Sequence, residues 1–171
     1  WLAPMLPFTM EEAWLERYPK SQSVHLEQFR STREEWQNES LAERWKKIRQ
    51  VRKVVTGALE LERADKRIGS SLEAAPIVFI SNPTLLEALE NLDMAEICIT
   101  SALTIRQDTI PKDAFTLSDV EGVGVYPGKA LGKKCARSWR YTQDVGSDPA
   151  YPDISARDAA ALRELQMLGR I

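Results

Sequence analysis

The chain has 171 residues, 43% of them hydrophobic and 28% charged, which is enough for one domain or two small ones with a real core and unlike a disordered tail. It contains no run of 18 apolar residues, so a membrane-spanning helix is excluded, and a net charge of −2 means that any nucleic-acid role must rest on local clusters. Cys98 and Cys135 alone are no disulfide framework and point to a reducing, cytoplasmic setting.

The opening residues, Trp1 to Phe8, have neither a basic start nor a small-residue cleavage site, so they do not read as a signal peptide. The absent initiator Met leads us to expect a boundary inside a longer polypeptide. Thr9 followed by Glu12 fits a capping box, which predicts a short helix ending before Pro19. Ser23 to Phe29 reads as a connection. Leu41, Trp45, Ile48, Val51, Val55, Ala58 and Leu59 recur at three- and four-residue steps, the stripe of one long helix. The other faces of that helix carry Arg44, Lys46, Lys47, Arg49, Arg52 and Lys53, and Gly69 is the expected stop.

Near residue 76 the period changes. Ile77-Val78-Phe79-Ile80 reads as a strand, and Asn82-Pro83 as the start of a helix. Ala95-Glu96-Ile97-Cys98-Ile99 reads as a second strand, with Ala102 to Ile105 extending it and Cys98 an inert buried thiol. Val120 to Tyr126 is one more strand. A loop-rich basic stretch runs from Lys129 to Tyr141, turns occupy Asp144 to Pro152, and a last helix begins at Ser155. Trp1, Trp14, Trp36 and Trp45 are read as packing residues. The single histidine, His25, supports no nucleophilic constellation and is expected at or near the surface.

Three segments, in order, resemble the C-terminal region of bacterial isoleucyl-tRNA synthetases, class I. They are Leu2-Ala3-Pro4-Met5-Leu6-Pro7-Phe8-Thr9 with Glu11-Glu12-Ala13-Trp14; Lys66-Arg67-Ile68-Gly69-Ser70-Ser71-Leu72-Glu73-Ala74; and Lys134-Cys135-Ala136-Arg137-Ser138-Trp139 with Tyr141, Asp144-Val145-Gly146 and Pro152. The first is shared with the valyl and leucyl enzymes; the second argues for the isoleucyl branch. The resemblance implies an α+β chain in three parts. These are the C-terminal part of a helical anticodon-binding bundle (1–72), a small mixed β-α-β subdomain (73–128), and a zinc-ribbon-like remnant with a terminal helix (129–171). It also implies recognition of the tRNA(Ile) anticodon arm on behalf of a separate domain that uses ATP and Mg to ligate isoleucine. Neither ATP-site signature of the family occurs here, so the chain is expected to be inactive alone and to need no cofactor of its own. Its implied partners are tRNA(Ile) and the rest of the synthetase, with no DNA and no membrane.

The family's terminal module carries two C-x-x-C pairs, a zinc signature. The matching positions here are Cys135, Ser138, Ser155 and Asp158. Neutral serine is a poor zinc ligand, so the metal is expected to be lost, with Ser155 and Asp158 capping the last helix instead.

Two clusters are candidates for tRNA. Arg44, Lys47, Arg52 and Lys53 on the long helix would neutralise phosphates without reading sequence; their ordinary reading is a solvated helix face. Lys133, Lys134, Arg137, Trp139 and Arg140, with Lys129 and Tyr141, offer charge beside rings for an unstacked base. Trp139 reads equally as a stacking ring or as core of a module without its metal, and Tyr141 more readily as core. The alternatives to this function are a valyl- or leucyl-type relative, and a helical protein-interaction module using the Leu41–Leu59 stripe.

Overall fold

The computed structural model describes residues 1–170 and clusters them into two compact units that divide after Glu39. The expected last part, 129–171, ends on Ile171, which lies outside the described residues.

In the first unit α1 spans Pro7–Arg17. It starts one turn earlier than the Thr9/Glu12 capping box predicts: Leu6 is the N-cap, and no side chain caps the helix. Pro7 fixes a helical φ at a position whose missing N–H would go unpaired anyway, and this overrides the weaker capping signal. The connection that follows is tied back to α1, where Glu11 Oε2 accepts bonds from Ser23 Oγ and the Val24 amide, both at 2.9 Å. Only Ala3 is buried among the apolar residues of this unit; Trp1 and Trp36 are 66% and 60% exposed. Their reading as packing residues is therefore corrected, because this short stretch supplies no second layer to cover them.

The second unit is built on α2, Glu39–Ala64. Ile48, Val51, Val54, Val55, Ala58 and Leu59 are buried, at the spacing expected of a helix face against a core. Leu41 and Trp45 stay 47% and 37% exposed, so the stripe is covered only from Ile48 onward. Lys66, at φ 57°, ends the helix in place of the expected Gly69. The Arg67 amide donates to Glu62 O and the Lys66 amide to Arg63 O, which satisfies carbonyls of the last turn.

Four strands form the sheet over this helix: β1 (Ile77–Ile80), β2 (Thr104–Arg106), β3 (Phe115–Leu117) and β4 (Val120–Tyr126). Their order is β2-β1-β4-β3, with β1 parallel to β2 and antiparallel to β4. The crossover between β1 and β2 holds α3, Pro83–Ala88, and α4, Met94–Cys98. Asn82 caps α3 as expected, accepting from the Thr84 amide. The strand expected at Ala95–Ile99 is a helix. Asp93 Oδ1 accepts from the Ala95 and Glu96 amides, and Met94, Ala95 and Cys98 are buried together. A side-chain cap and an i, i+4 apolar pair outweigh the β propensity of two isoleucines. Val78, Ile80, Val123 and Val125 share one core with α2, Leu85, Leu89 and Cys98. From Ile48 to Leu59 the stripe is thus consumed internally, and only its Leu41 and Trp45 end stays open.

The C-terminal part adds the hairpin β5 (Lys133–Lys134) and β6 (Tyr141–Thr142), then α5, Ala156–Met167. Gly132, at φ 103°, lies where a Cβ would come within 2.2 Å of Thr142 O, so the hairpin opening admits no side chain there.

Candidate nucleic-acid interface

The knuckle between β5 and β6 is closed by backbone bonds. The Cys135 amide donates to Arg140 O at 2.8 Å, and the Trp139 amide donates to Cys135 O at 2.9 Å. Its centre is the Cys135 side chain, which is fully buried. The four positions that the resemblance matched to a metal pattern, Cys135, Ser138, Ser155 and Asp158, converge around it. Cys135 Sγ donates to Asp158 Oδ2 at 3.0 Å, as does Ser155 Oγ at 2.9 Å. The Ser138 and Ser155 amides point at the sulfur, at 3.5 and 3.4 Å. Ser155 Oγ also accepts from the Asp158 amide and so caps α5. Ile154 and Ala159 bury the cluster, with Val145, Tyr151 and Leu162 packed against it.

Burial pushes the Cys135 thiol up, but the bonds from Ser138 and the Ser155 amide outweigh that and hold its pKa below the ordinary thiol value. Asp158 behaves likewise: burial raises it, while bonds from Cys135, Ser138 and Ser155 bring it below the usual carboxylate range. The donor set does not suit zinc. One sulfur and one carboxylate are two short of a closed tetrahedral site, and the hydroxyl and amides already complete both groups.

Outside this buried centre lies the basic face. Lys133, Lys134 and Arg137 are exposed, and Trp139 is 62% exposed. None of the three cations makes an ion pair among the described residues. Lys134 Nζ sits 5.4 Å from the centroid of the Trp139 ring, within cation–π range. The core reading of Trp139 is thereby closed. Its backbone is left-handed, at φ 62°, a conformation that costs a bulky residue roughly 1–3 kcal/mol and concentrates at functional positions. Arg140 faces the other way: its guanidinium donates to Ser101 O at 2.8 Å, and the Tyr141 amide donates to Ser101 Oγ at 2.7 Å. These two bonds fasten the knuckle to the α/β part, so Arg140 is occupied structurally and Tyr141 is half-buried. Sequence spacing could not separate Arg140 from Lys134, since the turn at Trp139 reverses their directions.

The α2 cluster divides in the same manner. Arg44 Nε donates to Ala88 O at 2.9 Å and its terminal nitrogen to Glu90 O; Arg52 Nε donates to Ile97 O at 3.0 Å. Both cations thus close the C-terminal ends of α3 and α4, where free carbonyls attract positive charge. Lys53 pairs with Asp119, an exposed bridge worth about 0–1 kcal/mol. Lys47 has no such partner among the described residues and lines a polar groove with Ser40, Glu43, Thr84, Glu87 and Asn91. His25 is exposed, with Nε2 3.2 Å from Pro7 O. A cleft of about 490 Å³ in the first unit gathers Trp1, Trp14, Tyr18, Phe29 and Trp36 beside Arg30. Sequence reading missed this grouping because their spacing follows no single period.

Residues 1–78 match the family described as the anticodon-binding domain of tRNA ligase. Along all 171 residues the chain is 88% identical to isoleucine–tRNA ligase of Bartonella henselae and 67% identical to that of Brucella abortus. With that of Mesorhizobium japonicum it shares 62% identity over its whole length. The chain spans 18% of the length of each of these curated relatives. Among the described residues no helix is long and apolar enough to cross a membrane.

Proposed function

We propose that this chain, which corresponds along its full length to the C-terminal region of bacterial isoleucine–tRNA ligases, recognises the anticodon arm of tRNA(Ile) for an enzyme that joins isoleucine to tRNA. The observation that carries the reading is the exposed group Lys133, Lys134, Arg137 and Trp139 on one knuckle, three exposed cations in no salt bridge among the described residues, beside an open indole. Cations along a sugar–phosphate backbone with a ring for a base is the chemistry of single-stranded RNA loops. Lys47 and, with their remaining guanidinium or ammonium donors, Arg44, Arg52 and Lys53 form a second patch suited to stem phosphates. Arg140 supports the knuckle from behind.

On this reading residues 1–72 end the helical anticodon-binding part, 73–128 form the mixed subdomain, and 129–171 are a zinc-ribbon-like module that has replaced its metal with hydrogen bonds. ATP and Mg serve the catalytic domain of the whole enzyme, whose setting is the cytoplasm, and this chain alone makes no isoleucyl-adenylate.

The test is tRNA(Ile) binding by the full-length protein and by a form with Lys133, Lys134 and Arg137 changed to alanine. The expected result is weaker tRNA binding with a reduced salt slope, while ATP–pyrophosphate exchange with isoleucine is retained. Unchanged binding and slope in the triple variant would overturn the assignment.

A further inference from the structure

Cys135 is fully buried and is the hub of the knuckle rather than a member of the exposed face. Its amide and carbonyl are held by Arg140 and Trp139, and its sulfur by Asp158 and the Ser138 and Ser155 amides. The Ala136 amide is taken by Asp153 O at 2.9 Å. The backbone is therefore held at Cys135, Ala136, Ser138, Trp139 and Arg140, and one of these residues, Trp139, is left-handed with its ring outside. A bulky side chain does not choose that backbone in isolation; surrounding bonds must impose it. The direction in which the indole leaves the backbone is thus set before any ligand arrives, so less ordering has to be lost from the binding free energy.

We propose that the Cys135–Ser138–Ser155–Asp158 hydrogen-bond network is a positioning device that presents Trp139 as a fixed stacking platform for an unpaired base of the RNA loop. The proposal rests on the anticodon-arm reading above. It makes Cys135 and Asp158 positioning residues, which touch no RNA and act through the ring. Lys134, over the indole, adds charge near the phosphate of the stacked nucleotide.

The experiment measures full-length protein binding to a tRNA(Ile) anticodon stem–loop, and to the same stem–loop with single abasic positions across the loop. Four proteins are compared: unaltered, Trp139→Leu, Cys135→Ala and the gentler Asp158→Asn. With the intact loop, Trp139→Leu should weaken binding by about ten-fold or more, the scale of one lost base stack. Cys135→Ala should approach that loss, and Asp158→Asn should fall between. At one abasic position all four proteins should bind alike, because the partner of the ring is gone, and salt slopes should not change. A general loss of folding would lower binding to every RNA equally, and melting curves would register it; that pattern in both Cys135→Ala and Asp158→Asn overturns the positioning role. Unaltered affinity in both variants overturns it as well, while leaving tRNA recognition standing. Absence of salt-sensitive binding by the unaltered protein would instead remove the anticodon-arm reading itself.

Discussion

Two buried thiols in this chain behave in opposite ways. Cys98 lies in the apolar core against α2, where burial pushes it up to about 11, with only a partial offset from Arg52. Its neutral form is favoured in the folded state, so that contribution is complete below the ordinary thiol value and fades as pH rises through about 11. Denaturation midpoints measured from pH 8 to pH 11 should fall for the unaltered protein, and part of that fall should vanish in Cys98→Ala. Equal pH slopes for both would contradict the assignment. Cys135 shows the other behaviour, since polar donors surround it and outweigh burial. Its grouping with Ser138, Ser155 and Asp158 was implied by the family resemblance, as a metal pattern with ligands missing. How those four residues satisfy one another was not, because a spacing rule counts ligands and says nothing of hydrogen bonds. With two serines for two thiolates, elemental analysis after dialysis against a weak chelator should give far less than one zinc per chain. A full equivalent, with Cys135 protected from alkylation, would show that another ligand had been recruited.

Local chemistry decided the elements: at α1 a proline start prevailed over a capping box, and at α4 the Asp93 cap prevailed over β propensity. Ser155 caps α5 as its sequence context predicts and also donates to Asp158. Replacing it with alanine should cost about 1 kcal/mol for the cap alone, and more in total because the Asp158 bond is lost too; chemical denaturation checks this. The helix at Met94–Cys98 escaped the sequence reading because alternating isoleucines mimic a strand, whereas Asp93 supplies the cap that settles the backbone. Strand β1 was visible as a short apolar run and β4 as valines spaced by Gly122 and Gly124. Their pairing, with β4 beside β1, was not visible, since strand order depends on contacts far apart in sequence. The stripe expected on α2 from Leu41 to Leu59 is buried only from Ile48 onward, against the sheet together with Leu85, Leu89, Met94 and Cys98 of the crossover. Leu59→Ala, at 2% exposure in that core, should therefore destabilise the unit by about 2–5 kcal/mol. A loss under 1 kcal/mol by denaturant titration would mean that the core is looser than the packing implies.

At the scale of the whole molecule, an acidic balance coexists with a basic face because acidic residues pair or lie elsewhere. Glu62 engages Arg67, Glu60 engages Arg63, and Asp148 engages Arg163, while Lys133, Lys134 and Arg137 are exposed and in no salt bridge among the described residues. Net charge thus hides a local field, and it is the local field that attracts RNA phosphates. The two proposed patches should differ in what they recognise. Phosphates are the same in every tRNA, so Lys47→Ala on α2 should weaken all tRNAs alike and reduce the salt slope by about one unit. Loop bases differ, so Trp139→Ala should cost about 1–3 kcal/mol with tRNA(Ile) and less with a tRNA of another anticodon. Arg140 offers an internal contrast, since its guanidinium is held by Ser101. Arg140→Ala should lower the melting temperature and loosen the knuckle, thereby weakening tRNA(Ile), whereas Lys133→Ala should change the salt slope without moving the melt. Binding isotherms at several salt concentrations, run beside melting curves, separate these outcomes. If Arg140→Ala melts normally and loses about one unit of salt slope, that arginine contacts phosphate directly and the division drawn here between supporting and exposed cations is wrong.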